Sequence, residues 1–206
     1  MKKLLLTILC FLSVMVSNGR TVGEYFGDTR ADGVFDMLSS VMRLDMIDYY
    51  DSGMKMSVKN DMQGQSRLLS LSDTMLTMRY GSDVEVSVVK LEAKSPVLMV
   101  IETLQLPEVD SRVSFYDDRW QPLKRSLLPE LKLADWLTTR DADAVKEVKR
   151  VIPFMTSEIK YVPENGVLTF ISTIKNYYAG EAPQALNYIK PSLSFRWTGD
   201  KFVMIR

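Results

Sequence analysis

The chain has 206 residues, with 26 basic and 26 acidic side chains, no histidine and a single cysteine. Without an imidazole, Ser-His-Asp and Cys-His catalysis are excluded, and so are zinc sites that need several cysteine or histidine ligands. The balanced charge provides neither a footprint for nucleic acid nor a polybasic patch for a membrane surface. We therefore predict no cofactor, no metal site and no nucleic-acid partner.

The N-terminus has the pattern of a secretory signal peptide. Met1-Lys2-Lys3 precedes the apolar run Leu4–Val16, and Ser17 and Gly19 suit the −3 and −1 positions of a cleavage site. The apolar run is shorter than the roughly twenty residues that a membrane-spanning helix needs. We predict cleavage near Gly19, which also removes Cys10 and leaves no transmembrane segment. The expected location is the periplasm or cell exterior of a Gram-negative bacterium.

The mature chain opens with a polar lead-in and a helix. Arg20–Gly33 contains three glycines, which predicts irregular structure with Asp32 as the N-cap of the next helix. Apolar residues at spacings of three and four predict that helix from Val34 to about Tyr49. In this register Arg43 lies on the wet face, and Asp45 points into the middle of the apolar side.

Short alternating segments joined by turn residues then predict an antiparallel meander. Lys124–Arg140 is expected to be a docked connector with a helical turn, and Asp141 is expected to cap a second helix that Pro153 ends. A second meander follows. The predicted strands are Met54–Val58, Leu68–Leu71, Thr74–Tyr80, Val84–Val89, Val97–Ile101, Arg112–Tyr116, Trp120–Leu123, Ile159–Val162, Val167–Ile174, Leu193–Trp197 and Phe202–Ile205.

Two segments of the chain resemble each other. Val113–Trp120 and Leu193–Phe202 each contain a Val/Leu-Ser-Phe strand, a charged turn and an aromatic residue at the return. This pattern predicts a degenerate duplication within a single α+β domain, residues 20–206. Its two helix-plus-antiparallel-meander halves, about 34–123 and 141–206, would share one sheet with the helices packed on one face.

A polar cluster near the end of the first predicted helix consists of Asp45, Asp48, Tyr49 and Tyr50. Glycoside hydrolysis needs only two carboxylates, so a carboxylate-dependent hydrolase centred on Asp45 and Asp48 is one hypothesis. The alternative is structural: one carboxylate pairs with an arginine such as Arg43 or Arg79, and the other caps the turn.

Aromatic residues are the other candidates for a site. A binding surface for a carbohydrate or peptide is predicted at Tyr116, Trp120, Tyr177, Tyr178 and Trp197. Aromatic residues on strands are more often part of the core. Our preferred hypothesis is an exported, non-enzymatic module that binds an envelope protein, a peptide or a glycan on an open sheet face. A structural envelope component is a further alternative.

Three features together resemble a family of exported Bacteroidales proteins known as domain of unknown function number 3256. They are the lysine-rich start, the string Arg43–Gly53 and the hairpin Ser114–Trp120. The resemblance covers essentially the mature chain and implies an exported, Gram-negative location and no established activity. The repeated helix-plus-meander order also resembles the architecture of β-lactamase-inhibitor-like proteins, which is a fold analogy alone.

Overall fold

The computed structural model describes residues 19–105, 107–178 and 182–205. The predicted signal peptide, including Cys10, lies outside the described residues apart from Gly19. The described α-helices are α1 (Val22–Phe26), α2 (Ser40–Asp51) and α3 (Ala142–Val151). Short 3-10 helices are Thr29–Ala31, Leu133–Trp136, Ile174–Tyr177 and Gln184–Tyr188. Among these residues, no helix has both the length and the hydropathy to cross a bilayer.

The strands form two antiparallel meanders. They are β1 (Val58–Lys59), β2 (Gln65–Leu71), β3 (Met75–Arg79), β4 (Val84–Leu91), β5 (Val97–Leu104), β6 (Asp110–Tyr116), β7 (Ser157–Val162), β8 (Val167–Ser172), β9 (Ser192–Trp197) and β10 (Phe202–Ile205). One sheet has the order β1-β2-β3-β4-β5-β6 and the other the order β10-β9-β8-β7. The predicted α+β class with antiparallel sheets is confirmed. Of the predicted strands, Met54–Val58 shrinks to β1, and Trp120–Leu123 shrinks to a bridge between Tyr116 and Pro122.

The prediction of one shared sheet is wrong, because β6 and β7 are not paired as neighbouring strands. Two side chains of β6 replace the backbone ladder. The backbone N–H of Ser157 donates to Oδ1 of Asp110 at 3.0 Å, and that of Ile159 donates to Oγ of Ser111 at 3.0 Å. The second sheet therefore begins beside the first without continuing it.

Two hydrophobic clusters flank the six-stranded sheet. The helical cluster combines α1, α2 and the sheet residues that alternate toward them, such as Met78, Val88 and Val100. The inter-sheet cluster combines the opposite face, including Val89 and Met99, with α3 and the inner face of the four-stranded sheet. The helices thus lie in separate clusters and do not share one face. The physical reason is that β5 is apolar on both faces, so both need a covering layer.

The first helices differ from the predicted single helix Val34–Tyr49. The lead-in contains α1, whose N-terminus has a capping box between Thr21 and Glu24. Helix α2 starts only after Ser39, whose hydroxyl accepts from the backbone N–H of Met42 at 3.4 Å. Asp32 does not cap α2. The residues between the two helices form the short 3-10 helix Thr29–Ala31 and turns, so the α-helical register begins again at Ser40.

Arg43 is fully buried, against the prediction that it lies on the wet face. Its guanidinium donates to three backbone carbonyls, those of Phe26 at 2.6 Å, Asp28 at 2.7 Å and Leu38. It also donates to Oδ1 of Asp32 at 2.8 Å. One buried cation thereby ties the end of α1 and the following turns to α2, and its charge is met by a carboxylate.

Asp28 holds a second charged cluster beside this one. Nη2 of Arg30 lies 2.5 Å and Nη2 of Arg20 lies 2.7 Å from its Oδ2. The hydrogen bond from the Arg30 side chain is the largest cause that holds the pKa of the Asp28 carboxyl well below its usual range. The backbone N–H of Arg30 and the side chain of Arg20 act in the same direction, while burial opposes them.

Replacing Arg43 with methionine is expected to lower the free energy of unfolding by about 3–5 kcal/mol, because it leaves three backbone carbonyls and Asp32 without their donor. Urea denaturation measures the change. The matched control is Arg119→Met at an exposed position, expected to shift stability by no more than about 0.5 kcal/mol. Equal effects of the two substitutions would contradict the role assigned to Arg43.

Replacing Asp28 with asparagine is expected to destabilise the protein at neutral pH, with a loss that shrinks in acid. Because the folded-state pKa is depressed, the carboxylate stabilises the fold fully above its unfolded pKa of about 3.9, and this contribution disappears as pH falls toward the folded pKa. Urea midpoints of both proteins between about pH 7 and about pH 2 test this. A difference that stays constant across the range would refute it.

Candidate functional site

The predicted carboxylate cluster lies on the outside of α2. Asp45, Asp48 and Tyr50 are exposed, and Tyr49 is half-buried. The prediction that Asp45 points into the apolar side is therefore wrong, and Asp45 does not pair with Arg43 or Arg79 among the described residues. No group of three or more possible metal ligands is formed within the described residues. This position offers the solvated surface of a helix in place of the open pocket that a hydrolase requires.

The reason lies in the phase of α2. Continuing the pattern from Val34 places Val41 and Leu44 inward, yet their side chains are 65% and 49% exposed. Because α2 starts afresh at Ser40, its buried face instead runs through Arg43 and Met46. The hydrophobic pattern identified a helix but assigned the wrong face to it.

Two of the predicted aromatic binding residues belong to the helical cluster. Trp120 is buried, with Nε1 donating to the carbonyl of Tyr25 at 3.0 Å and its ring 5.4 Å from that of Phe35. Its φ of 62° is in the left-handed region, held by a turn in which Oδ1 of Asp117 accepts two backbone N–H groups. Tyr116 packs on Trp120 at 5.6 Å. Trp120 therefore lines no open surface, whereas Tyr116 is half-buried and borders a shallow depression beside Pro122 and Leu123.

The side chains of the other three aromatic candidates make contacts in different parts of the structure. Trp197 packs on Phe202 at 5.1 Å, and its Nε1 donates to the carbonyl of Glu92, joining the two sheets. The hydroxyl of Tyr178 donates to the carbonyl of Val151 at the end of α3. Tyr177 is exposed beside Phe154, with 6.2 Å between their ring centroids. The five residues therefore do not form one binding surface.

The four-stranded sheet has an outward face that carries no aromatic residue. The side chains on that face are those of Glu158, Lys160, Val162, Val167, Thr169, Ile171, Ser192, Ser194, Arg196, Val203 and Ile205. Their pattern is that of a solvated sheet in which valines and isoleucines are interspersed among polar residues. This face does not provide the aromatic platform that was predicted.

A groove beside α3 has the features of a binding site. We call it the connector groove. It has a volume of about 370 Å³ and is lined by Leu131, Lys132, Leu133, Trp136, Ile152, Pro153, Phe154, Met155, Ser157 and Phe170. The 3-10 turn Leu133–Trp136 supplies one wall and the segment from α3 to β7 the other. Trp136 is buried at its base, while Phe154 is 57% exposed at its rim.

Unpartnered hydroxyls lie next to this groove. The side-chain oxygens of Thr156, Ser172 and Thr173 are buried and have no hydrogen-bond partner among the described residues. Ser172 is the register partner of Ser157, which lines the groove, so both occupy the same sheet face. Buried hydroxyls are normally satisfied, so this location has unused hydrogen-bonding capacity.

Sequence reasoning assigned the apolar positions of the connector to docking, and it named Trp136 among the aromatic residues that could line a carbohydrate or peptide surface. It missed Phe154 as a site residue. The available indication was its place directly after Pro153, where a helix has ended and an aromatic residue has no further helical face to join. The pairing of Phe154 with Tyr177 could not be read from residues 23 positions apart.

Comparisons with known proteins identify a family and a similar fold, and they assign no activity. A protein-family model described as "Protein of unknown function (DUF3256)" matches residues 19–202. No curated protein matches the chain. A structure titled "Structure of a domain of an uncharacterized protein from Porphyromonas gingivalis W83" has a TM-score of 0.74 and 21% identity, covering 89% of this chain and 97% of that one. At this identity the likeness shows the fold alone. The analogy to β-lactamase-inhibitor-like proteins stays a prediction.

Replacing both Asp45 and Asp48 with asparagine is expected to change the free energy of unfolding by no more than about 0.5 kcal/mol, because both side chains lie on the exposed face of α2. Urea denaturation of the double variant beside the parent measures it. A loss above about 2 kcal/mol would show that these carboxylates have the buried structural role that the sequence suggested.

Proposed function

The chain belongs to the DUF3256 family of proteins of unknown function, and we propose that it is an exported, non-enzymatic module that binds a peptide segment of a partner protein. The partner inserts an apolar side chain into the connector groove. The single observation that carries this proposal is the groove itself, with buried Trp136 at its base and exposed Phe154 at its rim. Its volume falls within the range of about 300–1,000 Å³ typical of ligand sites.

The exposed aromatic pair supports a role in recognition. Phe154 and Tyr177 are 57% and 42% exposed and pack edge to face. Phe154 lines the groove, and Tyr177 contacts it from outside the lining. Exposed aromatic side chains gain by being covered, and aromatic residues are enriched at the centres of protein interfaces. A partner that covers these rings would bury apolar surface worth about 25 cal/mol per Å².

The groove lining favours a peptide over a sugar. Sugars are bound through many hydrogen bonds to planar polar side chains, and the groove presents only Lys132 and Ser157 as polar lining residues. An aliphatic or aromatic side chain fits the remaining lining, whose leucines, methionine and aromatic rings provide nonpolar contacts. We therefore assign the anchor to an apolar amino acid.

Lys132 adds a charge preference. It is exposed at the groove and is the one charged residue of the lining. A carboxylate next to the apolar anchor, from an acidic residue or a chain terminus, would pair with its ammonium group. The expected ligand is thus a segment in which an apolar side chain is adjacent to an acidic group.

Export is part of the proposal and is supported by the sequence of residues 1–19. Two lysines, the apolar run and the small residues before Arg20 together form the signal pattern described above. The site of action is then the periplasm or the cell exterior of a Gram-negative bacterium. Mass spectrometry of the N-terminus of the protein purified from its own envelope tests cleavage at Gly19.

The binding proposal is tested with the probe peptide acetyl-Phe-Glu-amide in ¹H-¹⁵N NMR titrations. The indole N–H signal of Trp136 is expected to shift saturably, while those of Trp120 and Trp197 stay in place because they donate to backbone carbonyls elsewhere. Phe154→Ser and Lys132→Gln are each expected to weaken binding. The matched control Met62→Ser, which removes an exposed apolar side chain in the β1–β2 loop, leaves binding unchanged.

Two results would overturn this function. A saturable shift of the Trp136 signal with chitotriose or maltotriose, and none with the peptide, would assign the groove to a glycan. No saturable shift with either probe at millimolar concentration would favour a structural envelope component that has no free ligand site.

A further inference from the structure

A polar row crosses the six-stranded sheet on the face opposite α1 and α2. The strand registers place five residues side by side from β2 to β6: Arg67, Arg79, Glu85, Thr103 and Ser111. They share a face because the alternate positions, such as Met78 and Val86, belong to the helical cluster. Four residues further along β4 and β5, the same face is apolar at Val89 and Met99 and belongs to the inter-sheet cluster.

The two arginines occupy the accessible end of this row. Arg67 is exposed on β2, and Ser70, further along the same strand, is exposed as well. The strand bulges between Leu68 and Ser70, directly beside Arg67. Bulges bend a strand locally and are common at sheet edges and next to functional sites.

Arg67 and Arg79 are direct cross-strand partners, which places two positive charges side by side. Residues in this relation have Cβ atoms about 4.5–5.5 Å apart, and like charges directly opposite destabilise a sheet. Within the described residues, no carboxylate oxygen lies within 4.0 Å of either guanidinium. Nε of Arg79 is also buried and has no hydrogen-bond partner among the described residues.

The neighbours of the pair determine the side from which a ligand approaches. Glu85 lies on the β4 side of Arg79, without an ion pair to it. On the other side, toward the sheet edge, Gln65 and Lys59 extend the polar face and add a third positive charge. An anion is therefore favoured at the β1–β2 edge and repelled from β4.

We propose that Arg67 and Arg79 form a binding site for a divalent tetrahedral oxyanion group, a sulfate or a phosphate. The register places the two arginines at the spacing of neighbouring strands, and guanidinium forks match the oxygens of these groups. The ligand's two negative charges offset the repulsion between the arginines. This site is independent of the connector groove.

The test is thermal unfolding of the full mature protein with millimolar sodium sulfate, sodium phosphate or sodium acetate, each at ionic strength matched with sodium chloride. Sulfate and phosphate, the two sources of the group, are expected to raise Tm saturably, and acetate is not. Arg67→Gln is expected to raise Tm in the absence of oxyanion, because the repulsion is relieved, and to weaken oxyanion binding about ten- to a hundredfold. Arg119→Gln, an exposed control, keeps the full response.

The two sources are separated by comparing the saturation midpoints of sulfate and phosphate. An equal response of Arg67→Gln and the parent protein would show general salting effects and overturn the site. A lower Tm of Arg67→Gln without oxyanion would show that Arg67 has a partner within the fold, which also overturns it. An acetate response equal to that of sulfate would overturn the assignment to a divalent group. Phe154→Ser serves as a second control and leaves every oxyanion response intact.

Discussion

Strand β5 is buried on both of its faces, and the rest of the fold follows from this constraint. Its first five residues, Val97–Ile101, are all shielded from water. Each such side chain contributes about 1.5–3 kcal/mol when buried, so leaving either face in solvent would forfeit much of the core. The helical cluster covers one face and the four-stranded sheet covers the other. A single sheet with helices on one side cannot satisfy a strand of this composition.

Burial of apolar side chains does not specify how the layers are oriented, and hydrogen bonds to buried polar atoms do. Arg43 fills the space between α1 and α2 with a cation whose three nitrogens each donate to an acceptor. Its guanidinium carbon lies 5.7 and 5.6 Å from the ring centroids of Phe26 and Phe35. In the same helical cluster, the left-handed backbone of Trp120 brings its indole to the carbonyl of Tyr25. Apolar contact alone would hold these layers together without specifying one arrangement, whereas these directional bonds specify it.

Both proposed sites lie where the covering layers stop. The connector groove opens at the margin of the inter-sheet cluster, where the chain crosses from α3 to β7 and leaves Phe154 in water. The arginine pair lies beyond the other margin, on the stretch of β2 and β3 whose outward residues are charged. One site is apolar with a single lysine and the other is cationic. The chemistry of their ligands therefore differs, and the two are physically separable.

The sequence by itself determined most strands and α3, because alternation, turn residues and the N-cap Asp141 act over a few neighbouring positions. It predicted most strands and α3 closely, and also the family resemblance. It did not determine the face of α2, because a break of a few residues at Leu38–Ser39 resets a 3.6-residue phase. Nor did it determine the number of sheets, since pairing between β6 and β7 depends on contacts that span a long connector. The candidate sites were largely missed because their residues are distant in sequence. Tertiary packing brings Phe154 to Tyr177, and strand register brings Arg67 to Arg79.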